Sequence, residues 1–536
     1  MKVTRFLSLA LVCIMLMSCV AFAEGTDDPY GKYDAPVTLH VLKSGGKDTM
    51  AFDANDPDRI SYYENAWINA YKDYLNIDVK LELAEDNTAL SARVNTGMAS
   101  SDLPDVMIVP KELLYVMAEN DVLADLTEVW EKCENKRLSQ EAIDGMPGVL
   151  ANSTFDGKLL GIPMMTNGYT GTHMMWIRQD WLNKVNKQVP TTIDELIDVA
   201  QAFLKAGLGG DNTYAIAFSV ADCFEEITAA YGAGFGGPYE NNYWQKTEDG
   251  YVFNPVRVKE VSAALLKMQE MYKLGLFTPD LAVAVGKTQK EDVANSRVGI
   301  FFGPGWEGAV TISSSNMNDP EADWVVAALP YADDPNFQIT TNFVCNDYIV
   351  VNKNCEHPEA FLKMLELELH SYYEPTEEES KKLYVCEDGF AMWNLRYFRN
   401  FTFPTQDLLR TQLIKEGVAS GAEHVASFAD TNYQRVRKGL NGERSEEGYA
   451  LTFTEAYSIL TDWHENNRLL VSYDGPLTEN MQLYSGNLLE ALTAAMYKVV
   501  MGEDISVYEK AVDTWYAAGG QTITDEVNAY YASIGK

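Results

Sequence analysis

Basic residues are scarce in this chain. Its 536 residues include 42 Lys and Arg against 78 Asp and Glu, which gives a formal net charge of −36. Binding to a nucleic-acid backbone requires clustered positive charge, so the composition predicts no nucleic-acid partner and argues against polyanions in general. The acidic excess is most simply a solvated surface that keeps the protein soluble.

Cysteine and histidine are also few, with 7 and 6 residues respectively. Cys13 and Cys19 lie near the N-terminus, and the other cysteines are odd in number and widely spaced. They are Cys133, Cys223, Cys345, Cys355 and Cys386. This pattern fits neither a disulfide scaffold nor a zinc site, and the histidines form no H-E-x-x-H motif. We therefore expect small buried thiols, no metal and no cofactor.

Long apolar runs are missing after the N-terminal segment. There, two basic residues precede the apolar run 6–17, which is the pattern of a secretory signal peptide and too short to span a bilayer. Two endings fit. Residues 21–23, Ala-Phe-Ala, suit ordinary cleavage, whereas residues 16–19, Leu-Met-Ser-Cys, resemble a lipobox in which Cys19 carries lipid. Either ending predicts an extracytoplasmic protein, whose membrane contact is confined to a lipid on Cys19.

Strand and helix patterns alternate along the first part of the chain. Residues 37–41 alternate as in a half-buried strand, and residues 77–83 do so again after a helix predicted to end near Leu75. Ser61 and Glu64 form a capping box, which predicts that this helix begins at Ser61. Such an order predicts an α/β sheet with parallel strand pairs.

A second series of strands and helices begins near Met174. Thr192 and Glu195 form another capping box, which predicts a helix closed by Gly207. Strand-like runs recur at residues 214–218, 298–302, 324–329 and 348–351, and the last third is mostly helical. Two α/β units predict two lobes, with a small-molecule site in the cleft between them.

The stretch 298–308, VGIFFGPGWEG, predicts a strand that ends at a turn. Gly303-Pro304-Gly305 does not readily continue a strand, so Trp306 follows the carboxyl end of the strand, where α/β sheets bind ligands. A tryptophan offers a flat apolar face and one N–H donor, which suits the C–H face of a sugar ring. The structural alternative is packing between the lobes.

Catalytic motifs are missing or stand in the wrong context. Residues 286–288 end like a P-loop, but Leu281 replaces its first glycine. Residues 232–237 match a dinucleotide pattern, but a helix-like stretch precedes them and Pro238 follows. No G-x-S-x-G motif occurs. We expect no enzyme. The alternative is a secreted glycosidase, because 78 acidic residues produce carboxylate pairs by chance.

Short segments along most of the chain share the order and spacing of one family. They are residues 64–67 (ENAW), 98–106 (MASSDLPDV), 155–158 (FDGK), 161–163 (GIP), 176–182 (WIRQDWL), 299–306 and 523–528 (ITDEVN). Together they resemble family 1 extracellular solute-binding proteins, of the long, often lipoprotein type that serves carbohydrate ABC importers. The resemblance implies a two-lobed α/β periplasmic-binding-protein-like fold of type II, with several hinge crossings and a helical C-terminal third.

The resemblance also implies a function and a division of the chain. The protein is expected to capture an oligosaccharide or another sugar, without covalent chemistry, and to deliver it as a monomer to an ABC permease. A peptide-binding or other nutrient-binding protein of the same fold is the alternative. The predicted parts are a signal peptide 1–23, a linker 24–35, a first lobe 36–165 with a return segment 336–372, a second lobe 166–335, and a second-lobe and helical region 373–536. The calcium-loop-like segment common in the family retains one carboxylate here, Asp211, which again predicts no metal.

Eight residues are predicted to bind the ligand, because they combine stacking faces with hydrogen-bonding groups. They are Asn65, Trp67, Asn167, Trp176, Arg178, Tyr239, Trp244 and Trp306. Each has a structural alternative, such as helix-to-sheet packing for Trp67, an ion pair for Arg178 and a turn for Asn167. The tryptophans favour a sugar, whereas a carboxylate-binding Arg178 favours a peptide. Trp393 and Asn394 rank lower.

Overall fold

The strands and helices below come from a computed structural model of the chain. It describes residues 30–45, 63–146, 148–210, 214–217, 224–234, 243–248, 250–278, 281, 286–341, 345–384, 392–471, 473, 475 and 477–533. The strands are β1 Val37–Ser44, β2 Ile77–Ala84, β3 Val106–Pro110, β4 Thr154–Phe155, β5 Lys158–Leu159, β6 Ile162–Pro163, β7 His173–Arg178, β8 Ile216–Ala217, β9 Trp244–Thr247, β10 Gly250–Phe253, β11 Ile300–Pro304, β12 Trp324–Ala327, β13 Ile339–Thr341, β14 Asp347–Val351 and β15 Leu469–Val471.

Helices surround these strands and make up most of the C-terminal region. They are α1 Ala66–Leu75, α2 Asn87–Ser100, α3 Lys111–Glu119, α4 Thr127–Lys132, α5 Arg137–Asp144, α6 Gln179–Val185, α7 Ile193–Lys205, α8 Phe224–Ala230, α9 Val258–Lys273, α10 Gly286–Ala294, α11 Ser313–Asn318, α12 Ala360–Tyr373, α13 Glu377–Glu379, α14 Gln406–Ser420, α15 Ser427–Leu440, α16 Glu447–Leu451, α17 Tyr457–Glu465, α18 Glu479–Val500, α19 Ser506–Trp515 and α20 Gln521–Ser533. Within the segments described, none of them is long and apolar enough to cross a bilayer.

Two mixed sheets form the centres of two lobes. The first has the order β2-β1-β3-β14-β6, with β1 parallel to β2 and β3 and with β14 antiparallel to its neighbours. The second has the order β12-β7-β11-β8, with β7 antiparallel to β11 and β12 and with β8 parallel to β11. The α/β prediction is confirmed, although parallel pairing dominates only one half of the first sheet.

Local capping decides where the helices begin. At α7, the Glu195 N–H donates to Thr192 Oγ1 at 3.2 Å and the Thr192 N–H donates to Glu195 Oε2 at 3.3 Å, so this capping box is confirmed. At α1, Asn65 Oδ1 accepts the N–H groups of Trp67 and the next residue at 2.8 and 3.2 Å. Asn65 is therefore the N-cap, and the predicted start at Ser61 is wrong.

Strand β11 continues through two residues that were predicted to form a turn. Gly303 pairs with Met174, and Pro304 pairs with His173, on the antiparallel neighbour β7. The described part of the other neighbour, β8, pairs with the first two residues of β11. Pro304 is the last residue of β11, and among the described residues its strand partner lies on β7. The turn begins at Gly305 instead.

Two passes of the chain between the sheets are hydrogen-bonded to each other. The first lies between β6 and β7, and the second approaches β14. The Met164 N–H donates to the Asp347 carbonyl at 2.8 Å, and Thr172 Oγ1 donates to Thr341 Oγ1 at 2.7 Å. We name these four residues the crossing seam, because they bond the two passes to each other. The lobe boundaries predicted from the sequence stay a prediction.

Residues 392–402 cover one side of the first lobe. The Tyr397 hydroxyl donates to the carbonyl of Leu42 in β1 at 2.9 Å. The Phe398 N–H donates to the carboxylate of Glu368 at 3.0 Å, and both of these side chains are fully buried. This 392–402 segment is therefore anchored to the lobe by its own backbone as well as by apolar burial.

Helix α16 approaches the second sheet with no side chain between the two backbones. A Cβ atom on Gly448 would lie 1.8 Å from the carbonyl oxygen of Gly308, just beyond β11. Only glycine permits this contact. The contact fixes α16, and with it Tyr449, against the end of the second sheet.

Replacing Gly448 by alanine should destabilise the protein. Because the added methyl group meets backbone atoms that cannot rotate away, we expect Gly448→Ala to lower the free energy of unfolding by about 1–3 kcal/mol, measured by urea denaturation. The matched control is Gly486→Ala in α18, where an added Cβ meets no atom within 4 Å. That change should leave stability equal or slightly higher. Equal losses in both variants would contradict the close backbone contact.

Candidate functional site

A cavity of about 700 Å³ opens beside the crossing seam. Its walls come from both chain passes, the end of α12, the 392–402 segment and helices α14 to α16. The lining residues are Met164, Thr166, Asn167, Asn346, Asp347, Tyr372, Trp393, Asn394, Arg396, Arg399, Asn400, Thr402, Gln406, Arg410, Phe428, Thr431, Asn432 and Tyr449. A volume of this size accommodates a ligand of several rings.

The first chain pass supplies an oriented amide to the cavity. Asn167 Nδ2 donates to Asp407 Oδ2 at 2.7 Å. Asp407 also pairs with Arg410, whose Nη2 donates to the hydroxyl of Tyr372 at 3.1 Å. Among the described residues, no donor reaches Asn167 Oδ1. This oxygen is therefore available to accept a hydrogen bond from a ligand.

The second pass supplies a carboxylate at the start of β14. Asp347 is half-buried, and burial, with a smaller contribution from the Glu112 charge, raises the pKa of its carboxyl above the ordinary value. None of the hydrogen bonds among the described residues ends on this carboxylate, although the Asp347 backbone carbonyl accepts from Met164. A carboxylate without donors in a partly buried site is costly, and ligand hydroxyl groups can supply the missing bonds.

Aromatic rings form part of the wall. Trp393 is half-buried on a 3-10 turn, Met392–Leu395, and its ring centroid lies 6.1 Å from that of Tyr372. Elsewhere, the guanidinium of Arg435 stacks on the ring of the lining residue Tyr449, 3.5 Å from its centroid. These rings are supported by neighbours before any ligand arrives.

The lining thus pairs flat apolar faces with donors and acceptors suited to hydroxyl groups. Asp347 is the sole carboxylate among the described lining residues. In the described part of the chain, no three His, Cys, Asp or Glu side chains come together as metal ligands. Cys133, Cys345 and Cys355 carry free thiols and lie outside the lining. The arrangement is suited to holding a polyhydroxylated molecule.

Of the eight residues predicted to bind ligand, the structure places Asn167 in the cavity wall. The lower-ranked Trp393 and Asn394 also lie there. Asn65 instead caps α1, and the Trp67 side chain that follows it is buried in the first lobe.

Three further candidates are enclosed by their own neighbours. Trp176 is fully buried and donates its indole N–H to the Gly303 carbonyl at 3.2 Å. Trp244 is buried, with its ring centroid 5.2 Å from that of Phe253. Arg178 is enclosed by charged partners.

The Arg178 guanidinium is 1% exposed. It donates to both carboxylate oxygens of Asp180, at 2.6 and 2.9 Å, and to Asp319 at 3.1 Å. The neighbouring Ser296 hydroxyl accepts from Nη1 at 2.8 Å. The geometry therefore resembles the structural ion pair that was the alternative for this residue.

Trp306 is 38% exposed and follows the end of β11 as predicted. The Nζ atom of Lys290 lies over its ring, 4.8 Å from the centroid. Trp306 is not among the residues that line the cavity. Tyr239 and Cys19 lie outside the described residues. Ligand binding by all eight candidates, Trp306 included, stays a prediction.

The sequence interpretation missed the charged part of the cavity wall. Asp347, Arg396 and Arg399 carry no local motif, and their significance lies in being brought together from different elements. The aromatic-amide pair Trp393-Asn394 was the available signal, and it lies in the segment that lines this cavity.

Comparisons with known proteins agree with this architecture. A model of the family described as bacterial extracellular solute-binding protein matches residues 66–365. Lipoprotein LipO of Bacillus subtilis (strain 168) is 22% identical over 518 residues, 91% of this chain and 93% of LipO. The polygalacturonan/rhamnogalacturonan-binding protein YtcQ of the same organism is 31% identical over 180 residues, 32% of each chain. The structure of alginate-binding protein AlgQ2 without calcium ion has a TM-score of 0.60 at 14% identity, with coverage of 94% of this chain and 100% of AlgQ2. The two-lobed periplasmic-binding-protein-like fold is thereby confirmed.

Removing the Asp347 charge should stabilise the unliganded protein at neutral pH. The folded-state pKa of this carboxyl is raised, so its ionised form costs folding free energy once the pH exceeds its unfolded value of about 3.9. Below that value both states are protonated and the cost disappears.

We therefore expect Asp347→Asn to raise the melting temperature at neutral pH, with the gain shrinking as the pH falls through the folded and then the unfolded pKa. Differential scanning calorimetry across this range measures the effect. The control is Asp102→Asn, at a side chain that is 84% exposed. If the gain in melting temperature persists at low pH, or if Asp102→Asn produces the same gain, the ionised Asp347 carboxylate does not destabilise the folded protein.

Proposed function

Because the chain belongs to the bacterial extracellular solute-binding proteins, we propose that it captures an oligosaccharide in the cavity beside the crossing seam. It then delivers this sugar to the permease of an ABC importer. The observation that carries the proposal is the cavity wall itself, where a half-buried tryptophan, Trp393, shares the lining with two acceptors, the Asp347 carboxylate and Asn167 Oδ1, that receive no hydrogen bond from any described residue. Relatives whose names state binding to polygalacturonan or alginate support the sugar class.

Capture requires only non-covalent contacts. The C–H face of a sugar ring stacks on Trp393, while its hydroxyl groups donate to Asp347 and to Asn167 Oδ1. The two lobes meet at the crossing seam, so closure is a rotation about these hydrogen-bonded passes. Closure excludes water from the cavity and presents one closed form to the permease.

The protein binds its ligand without transforming it. Hydrolysis of a glycosidic bond ordinarily needs two carboxyl groups that flank the bond. Asp347 stands alone as a carboxylate among the described lining residues. The family consists of binding proteins, and we extend that property to this chain, acting as a monomer.

The protein is held at the outer face of the membrane by lipid on Cys19. The lipobox-like residues 16–19 motivate this proposal, and a lipoprotein that is similar along 91% of the chain supports it. Mass spectrometry of the mature N-terminus tests it. A diacylglyceryl group on Cys19 is the expected result, whereas a free Glu24 amino terminus would show ordinary cleavage after Ala23.

Trp393→Ala should weaken sugar binding. Loss of one stacking face is expected to cost about 2 kcal/mol, roughly 30-fold in Kd, in a variant that circular dichroism shows to be folded. A thermal-shift screen of the mature chain against neutral and acidic oligosaccharides and peptides first identifies a ligand. Titration calorimetry then compares the variants.

Trp306→Ala is the matched comparison, since the sequence assigned the stacking role to that residue. Trp306 lies outside the cavity lining, so we expect the smaller loss there. A larger loss of sugar affinity in Trp306→Ala than in Trp393→Ala would assign the stacking role to Trp306. Shifts with peptides alone, or turnover of a sugar during the screen, would contradict the proposed function.

A further inference from the structure

The cavity lining carries more positive than negative side chains, whereas the chain as a whole is strongly negative. The formal net charge is −36, and on composition the chain is a poor binder of anions. The cavity lining nevertheless contains three arginines, Arg396, Arg399 and Arg410, against one carboxylate, Asp347. An acidic surface repels anionic ligands at long range. Positive charge concentrated within the cavity would offset that repulsion locally.

Arg410 is the one of the three that is already neutralised. It pairs with Asp407 and donates to the Tyr372 hydroxyl at 3.1 Å. Asp407 in turn accepts from Asn167. This arginine is part of the supporting network, and the excess charge of the cavity comes from the other two.

Arg396 is held rigidly with one edge unsatisfied. It is 1% exposed. Its Nε donates to the Trp393 carbonyl and its Nη2 to the Arg399 carbonyl, both at 3.1 Å. Its guanidinium lies 4.3 Å from the ring centroid of Tyr372. Its Nη1 is buried and has no hydrogen-bond partner among the described residues. A buried charged donor without an acceptor is expensive, and a ligand acceptor removes that cost.

Arg399 stands on the same segment and is exposed. Its Nε is 3.4 Å from Asn400 Oδ1, a weak contact. Among the described residues it forms no ion pair, whereas Arg410 pairs with Asp407. An arginine that faces a cavity without a carboxylate partner is suited to bind a planar anion through two parallel hydrogen bonds.

A lysine and a carboxyl lie beneath the segment. Lys43 Nζ donates to the carbonyls of Arg396 and Tyr397 at 3.2 and 3.0 Å. Among the described residues, the carboxyl of Glu368 belongs to the same buried group, and burial raises its pKa.

We propose that the captured oligosaccharide is acidic, with an anionic group on a sugar ring seated against Arg396 and Arg399. The inference rests on the proposed function and specifies its substrate class. Asp347, on the other chain pass, accepts hydrogen bonds that hydroxyl groups of the same ligand donate. The carboxylate of a uronic acid is the anion that fits the planar guanidinium geometry, and a sulfate ester shares the same charge chemistry.

Titration of the mature full-length chain tests this assignment. The probes are a galacturonate trimer, its methyl ester, sulfated disaccharides and neutral trisaccharides. We expect the acid to bind about 10-fold or more tightly than the ester, since only the ester lacks the charge. Added salt should weaken binding of the acid and leave binding of the ester unchanged. If a sulfated disaccharide binds more tightly than the galacturonate trimer and shows the same salt dependence, the ligand is still anionic. Its acidic group is then a sulfate ester instead of a carboxylate.

The variants locate the effect. Arg399→Gln should lose about 10-fold or more in affinity for the acid and little for the ester, and Arg399→Lys should restore part of the loss. Arg399 is exposed, so melting temperatures should stay equal. The control Arg137→Gln removes the same charge at a side chain that is 60% exposed and outside the lining, and it should bind as the parent does.

The outcomes separate the two proposals. Equal affinity for the acid and the ester would overturn the acidic substrate class. Binding of a neutral trisaccharide with an affinity that Arg399→Gln does not change would do the same. Neither result would contradict the capture of a sugar. Binding of peptides with no response to any saccharide would overturn both.

Discussion

The hydrogen bonds of the crossing seam are the constraint on which the site depends. The bond from Met164 to the Asp347 carbonyl joins backbone to backbone, and the bond from Thr172 to Thr341 joins two buried hydroxyl groups. Each bond contributes only about 1 kcal/mol to stability, but both lie where the chain passes between sheets. They fix which face of each pass is turned toward the cavity, and so place Asn167 and Asp347 in one wall.

A second constraint holds the opposite wall. The 392–402 segment has no sheet of its own, and it is anchored by the buried carboxyl of Glu368, which accepts from the Phe398 N–H and the Tyr71 hydroxyl. A carboxyl in this position is costly unless its acceptors are satisfied, so the segment and the lobe depend on each other. The same anchoring turns Trp393 and Arg396 toward the cavity.

The sequence predicted those features whose interacting residues lie close together along the chain. The capping box of Thr192 and Glu195 is confirmed because both partners lie within one helical turn. The start of α1 was misplaced because two capping signals compete there and Asn65 makes the bonds. The cavity was only partly predictable, since it is assembled from distant segments. Asn167 and Asp407 bond across 240 residues of chain, and no spacing rule connects them.

Hydrogen–deuterium exchange of the mature protein, free and saturated with the sugar found by screening, tests the central claim most directly. The claim is that ligand binds beside the crossing seam and draws the lobes together. It predicts slower exchange in residues 164–172, in residues 345–351 and in the 392–402 segment. Slower exchange confined to residues 304–312, around Trp306, with these three regions unchanged, would place the ligand elsewhere and contradict the account.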